Sequence, residues 1–162
     1  MITLFTIPKA FKGDIAVIQR NAIKSWTLLK PKCEIILLGG DEGVAEAAAE
    51  LGVRHIPDVR CNEYGTPLLD SVFETASRAA NNRVVCYVNA DIILMGDFIE
   101  AVRKIRFQHF LMVGMRWDLK VKEPIVFTDP CWSSRLLESV RREGVPQKCI
   151  DYFVFPKGDL GV

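Results

Sequence analysis

Paired cysteines, clustered histidines, a surplus of one charge and a long apolar run are all missing from this chain, and each absence removes a class of function. Histidine is limited to His55 and His109. Neither stands near the other or near a C-x-x-C pair, so a zinc centre of the usual nitrogen and sulfur ligands has no footing. The five cysteines, Cys33, Cys61, Cys86, Cys131 and Cys149, are odd in number and widely spaced. That pattern fits reduced thiols in the cytoplasm rather than a disulfide framework. A net charge of +1 argues against nucleic acid as a partner, because neutralising many phosphates takes a basic excess. No apolar run approaches the length of a transmembrane segment, and the opening MITLFTIP is too short and lacks the basic start of a signal peptide. No serine lies in a nucleophile elbow, and neither G-x-G-x-x-G nor a lysine-bearing phosphate loop occurs.

What is present is the composition of one globular domain spanning residues 1–162, with 49% hydrophobic and 25% charged residues. The stretch that organises it is RVVCYVNADIILMG, residues 83–96. Its apolar run Val84, Val85, Cys86, Tyr87, Val88 is too short for a helix and reads as a strand buried on both faces, as in a parallel sheet. The run ends in Asn89-Ala90-Asp91. A carboxylate there loses solvation unless something binds it, and the carboxyl ends of strands are where ligands sit in open α/β sheets.

Residues 2–7 read as a first strand, stopped by Pro8. Asp14 is placed to cap a helix with the stripe Ile18, Ala22, Trp26 and Leu29, and Pro31 stops it. A strand over 33–38 leads through Gly39-Gly40-Asp41-Glu42-Gly43 into an alanine-rich helix over 44–51, with Gly52 at its end, and then a short strand over 53–56. The order β-α-β-α-β implies a parallel sheet with right-handed crossovers. After a polar loop over 57–65, Thr66-Pro67 reads as cap and first residue of a helix with Leu68, Leu69, Val72, Phe73 and Ala76 on its apolar face. Asp97 is placed to cap a helix carrying Phe98, Ala101, Val102 and Ile105. The last third predicts a strand over 110–117, a charged loop, a helix opened by Asp129-Pro130 and ending near Gly144, and a final strand over 150–155.

Four groups of polar residues offer chemistry. Asn89 and Asp91 lie two apart on an extended chain and point the same way, so their oxygens can hold a hard divalent cation. The alternative is that Asp91 simply caps the turn. In the turn 39–43, Asp41 either accepts hydrogen bonds from a base or sugar or serves as an ordinary N-cap. Asp118, in Arg116-Trp117-Asp118, and Asp151, in Ile150-Asp151-Tyr152, stand beside large aromatics at strand edges. Each is a candidate general base or sugar-hydroxyl ligand, or else a solvated turn residue.

Taken in order, YGTPL, VNADIIL, VGMRWDL and IDYFVFP resemble the GT-A-type glycosyltransferases of the nucleotide-diphospho-sugar transferase superfamily, in a family-2-like branch. The likeness spans essentially the whole chain. It implies a three-layer α/β/α fold with a mostly parallel, Rossmann-like central sheet, and a hexosyltransferase-type enzyme using a nucleotide-diphosphate sugar with Mn2+ or Mg2+. By that resemblance Asp91 binds the metal, Asn89 binds the ribose or the metal, and Thr6, Ile7, Pro8 and Asp41 line the nucleotide pocket, with Asp70 beside it. Asp151 and Asp118 become the catalytic candidates. Two departures accompany it: Asn89 stands where the related D-x-D motif has its first aspartate, and the chain ends at Val162, C-terminally short of the usual acceptor-binding elements. The resemblance thus also admits a non-catalytic or partner-completed domain, including a homo-oligomer, with the acceptor unnamed. A nucleotidyltransferase would want a glycine-rich basic loop after the first strand, which TIPKAFKG lacks.

Overall fold

The computed structural model describes residues 1–159. Four parallel strands form the body of its sheet: β1 (Ile2–Thr6), β2 (Glu34–Leu38), β3 (Arg54–Ile56) and β4 (Val84–Val88). The helices between them are α1 (Gly13–Thr27), α2 (Val44–Leu51) and α3 (Leu69–Ala79). Beyond β4 come α4 (Gly96–Lys104), β5 (Met112–Gly114), β6 (Trp117–Asp118), α5 (Trp132–Glu143), β7 (Val145–Pro146) and β8 (Tyr152–Pro156). The six-stranded sheet runs β3-β2-β1-β4-β8-β5, with β8 antiparallel to both neighbours, while β6 and β7 pair separately.

Burial on both faces explains the unbroken apolar strands. Leu4, Leu37, Cys86 and Val154 pack on one face with Ala22, Ile23 and Trp26 of α1, Val44 and Ala48 of α2, and Phe98 and Ile99 of α4. On the other face Phe5, Ile36, Val85 and Phe155 meet Val72 and Ala76 of α3. Phe73 of that helix centres an aromatic cluster, its ring 5.2 Å from Phe5, 5.4 Å from Tyr87 and 5.9 Å from Phe155. One side chain thereby ties three strands to α3. The result is the three-layer arrangement expected, with a mostly parallel sheet.

Several local expectations need correction. The α3 helix opens at Leu69 rather than Thr66-Pro67, because the Thr66 N–H donates to Asn62 Oδ1 and its carbonyl accepts from the Asn62 N–H, closing a turn instead. Leu69 is consequently outside the apolar face, 61% exposed. In α1 the N-cap is Lys12, with Asp14 in the first turn, and Ile18 is exposed. In α4, Ile99 is buried and Ala101 is not. The strand expected over 110–117 is broken: after Gly114 the chain leaves β8, and Trp117 and Asp118 pair with β7 instead. Pairing to a new partner sets that break, since the Gln147 N–H already donates to the Arg116 carbonyl.

Candidate functional site

In this strand order the chain winds outward from β1 to β2 and β3 and then crosses back to place β4 on the other side of β1. The carboxyl ends of β1 and β4 therefore flank a topological switch point, the crevice where open α/β sheets bind ligands. Thr6, Ile7 and Pro8 close β1 there, and Asn89, Ala90 and Asp91 close β4.

The turn after β4 is fixed from below by α1. Ile92 N–H donates to the Asn89 carbonyl at 3.1 Å, the Trp26 indole donates to the Ile92 carbonyl at 2.7 Å, and Leu94 N–H donates to Ser25 Oγ at 3.1 Å. Buried backbone groups that would otherwise lack partners are thus satisfied by helix side chains. Other buried polar residues of α1 do the same for neighbouring loops: Gln19 holds the backbone of Lys9, and Asn21 holds Glu123 and Ile125. Asp91, by contrast, is exposed, and its carboxylate enters no salt bridge or side-chain hydrogen bond among the described residues. Burial pushes the Tyr87 phenol up, and the Asp91 carboxylate adds to that shift.

Beside the turn lies a chain of polar groups linking three sequence segments. Asn89 N–H donates to the Asp151 carbonyl at 3.0 Å, and Asn89 Nδ2 donates to Asp151 Oδ1 at 3.2 Å. The same Oδ1 accepts from Arg116 Nη1, while Arg116 Nε donates to Asp118 Oδ1 at 2.6 Å. Hydrogen bonds to Asp118 first and Asp151 second raise the Arg116 pKa further, so the guanidinium is a permanent cation. Asp151 is 2% exposed and its Oδ2 is buried without a partner, whereas the Asp118 side chain is 48% exposed. Of the two carboxylates proposed from sequence as catalytic, one is therefore at the surface and the other beneath it.

The remaining expected residues stand outside this polar chain. Thr6 is fully buried with Oγ1 unpartnered, Pro8 is buried, and Ile7 packs half-buried against the α3-side core. Asp41 is exposed and does not cap α2, whose N-cap is Gly43 at φ 81°. A side chain on Gly43 would also meet Phe11 Cβ at 2.9 Å, so the close approach of the β1 loop requires glycine. Asp70, in the first turn of α3, pairs at 2.9 Å with exposed Arg60. Arg116, Trp26 and Ser25 were absent from the expected site. The R-x-D spacing of Arg116 and Asp118 is a sequence signal for the first, whereas nothing in the α1 stripe marks the other two as loop anchors.

A divalent cation is implied by the family resemblance, and the donor chemistry suits one, with a carboxylate on Asp91 and a carbonyl oxygen on Asn89, both hard ligands; the extended backbone expected to align the two is replaced by a turn, closed by the Ile92 N–H on the Asn89 carbonyl. Among the described residues no group of three His, Cys, Asp or Glu is assembled to hold a metal. A cation here would complete its shell with water and substrate oxygens, as small divalent ions commonly do.

No family model and no curated protein match the sequence. Solved structures do match the fold. Glucosyl-3-phosphoglycerate synthase from Mycobacterium tuberculosis, in complex with uridine diphosphate, has a TM-score of 0.54 at 15% identity over 97% of this chain and 57% of its own. A CMP:2-keto-3-deoxy-manno-octonic acid synthetase complexed with CTP has 0.52 at 10% identity, over 99% and 76%. A galactosyltransferase in complex with donor and acceptor sugar analogues has 0.50 at 12%, over 99% and 59%. The chain thus spans between about half and three quarters of each. The chain shares the three-layer, Rossmann-like GT-A-type fold of these solved structures.

Proposed function

We propose that this chain binds a nucleotide-diphosphate sugar at the carboxyl ends of β1 and β4 and transfers the sugar to an acceptor. One observation carries the reading: a solvent-facing, unpaired carboxylate, Asp91, stands on a turn held rigid by Trp26 and Ser25 at the sheet's switch point. A free surface aspartate has no need of such support, whereas a ligand-binding carboxylate does. In this reading Asp91 and the Asn89 carbonyl oxygen hold Mg2+ or Mn2+, and a bound cation offsets the negative charge developing on the departing diphosphate. Thr6, Ile7, Pro8 and Asp41 line the nucleotide side, with Asp70 farther out. Asp118, exposed beside Arg116, is the carboxylate within reach of an acceptor hydroxyl. All five cysteines are free thiols, which supports placing the protein in a reducing compartment such as the cytoplasm.

The test is thermal unfolding with nucleoside diphosphates. Uridine diphosphate with MnCl2 raises the melting temperature of the wild type, because a ligand of the native state stabilises it by mass action, and Asp91→Ala abolishes the rise. No metal-dependent shift with the uridine, guanosine, cytidine or adenosine diphosphate would sink the reading.

A second reading is favoured by the apolar surface beside the site, where Met115 is 68%, Trp117 56%, Val145 55% and Ile150 51% exposed. Such a patch fits a domain completed by a partner or by another copy of itself. Light scattering that gives a clean monomer, together with the nucleotide-dependent shift, would set it aside.

A further inference from the structure

The geometry points to Asp151 as a positioning residue: its buried carboxylate turns the Asn89 carbamoyl so that the carbamoyl oxygen faces the ligand. This rests on the donor-site reading above and deepens it.

The β4–β8 register pairs Val88 with Tyr152, and the next residues, Asn89 and Asp151, continue it with a backbone hydrogen bond of 3.0 Å. Directly opposed residues share a face of the sheet, so the two side chains meet. A carboxylate accepts hydrogen bonds and donates none, whereas an amide has one donating and one accepting end. Facing Asp151, Asn89 has one good orientation, with Nδ2 toward Asp151 Oδ1 at 3.2 Å and its own Oδ1 turned away. That oxygen is not among the buried unpartnered atoms and accepts no hydrogen bond among the described residues, so it is open to a ligand.

Arg116 makes the device tenable. An ionised carboxylate 2% exposed is costly alone, and the guanidinium at the same Oδ1 supplies the compensating charge. The arrangement also accounts for asparagine at the first position of the triplet. An aspartate at 89 would set a second carboxylate against Asp151 at the distance now spanned by a hydrogen bond.

Removing the shared acceptor tests this. Mn2+ affinity in the presence of uridine diphosphate is read from the electron paramagnetic resonance signal of free Mn2+, alongside melting temperature, for wild type, Asp151→Leu and Asp151→Asn. Asp151→Leu removes the oxygen that accepts from both Arg116 Nη1 and Asn89 Nδ2, and the Asn89 carbamoyl is free to turn. Mn2+ affinity then falls about tenfold or more, the scale typical when a residue orienting a metal ligand is lost. Asp151→Asn, with its amide oxygen in the shared position and its NH2 on the side of the unpartnered Oδ2, loses the charge but keeps Asn89 oriented, and affinity stays in the wild-type range.

A purely structural role for Asp151 lowers the melting temperature of Asp151→Leu and leaves the folded protein's Mn2+ affinity unchanged, which overturns the inference. An affinity in Asp151→Asn as low as in Asp151→Leu overturns it too, because the lost charge and not the lost orientation is then the cause. If Asp151→Leu does not fold, Asp151→Ala decides in its place: lost affinity supports the inference and wild-type affinity rejects it. Failure of the wild type to bind Mn2+ or the nucleotide removes the donor-site reading and this inference together, whereas wild-type binding untouched by Asp151→Leu removes the inference only.

Discussion

Arg116 and Asp151 form an ion pair of unequal burial, with 32% of the arginine side chain exposed and 2% of the aspartate. Replacing one member leaves two very different remainders. Arg116→Met strands a buried charge and is expected to cost about 3 kcal/mol in urea unfolding. Asp118→Asn touches the same guanidinium from the exposed side and is expected to cost less than about 1 kcal/mol. Equal losses would mean that Asp151 finds other compensation.

Gly114 is constrained from across the strand pair. A Cβ there would lie 1.9 Å from the ring of Tyr152, its cross-strand partner, which also packs edge-on against Phe98 at 5.4 Å. Gly114→Ala is expected to lower the melting temperature sharply. With Tyr152→Leu in the background the added loss from Gly114→Ala shrinks, because the obstructing ring is gone. Additive losses would place the strain elsewhere.

Acid sensitivity has a specific source at the opposite end of the sheet. Burial acts to raise the Glu34 pKa, but hydrogen bonds from Thr3, Asn81 and Arg54 together bring it below the ordinary value of 4.5. A folded-state value below the unfolded one contributes stability above the unfolded pKa, and that contribution disappears as pH falls through the folded value. The stability advantage of wild type over Glu34→Gln is therefore full near neutrality and shrinks below about pH 4.5. Urea midpoints collected from pH 3 to 7 read this directly, and a pH-independent difference would exclude the carboxylate as the cause.

The anchors beneath the β4 turn make a kinetic prediction. Ser25→Ala removes the acceptor of the Leu94 N–H, and Trp26→Phe removes the donor to the Ile92 carbonyl. Each is expected to cost about 1–3 kcal/mol, the penalty of a buried group left unpaired. Hydrogen exchange at Leu94 should accelerate in Ser25→Ala while amides of β1 remain protected. Exchange rising equally in both places would show global loss of stability instead of a loosened turn.

The parallel half of the molecule is readable from residues because strands buried on both faces leave unbroken apolar runs, and Val44–Leu51 carries a helix in its alanines with Gly52 behind it. Periodicity carries no record of partners. Residues 150–155 read as a strand, yet nothing local states that β8 runs antiparallel between β4 and β5. For the same reason 110–117 reads as one strand, since the choice between β8 and β7 as partner is made by segments far along the chain. In the site, Asp91 announces itself as a charge at the end of an apolar run. Asp151 does so too, but only the register with Asn89 and the reach of Arg116 show that it is buried and paired. Trp26 looks like any core aromatic until its indole nitrogen is seen on Ile92.

The place of β8 also governs the order in which this protein can be made. Residues 1–88 hold every strand of the parallel block, so that block can assemble while the rest is still being synthesised. The outer flank of β4 and the whole of β5 must wait for residues 152–156 before either has its neighbour. During that interval a growing chain displays an unpaired apolar strand edge, the kind of surface on which nascent proteins aggregate or recruit chaperones. One late strand thus decides whether the block made before it stays in solution.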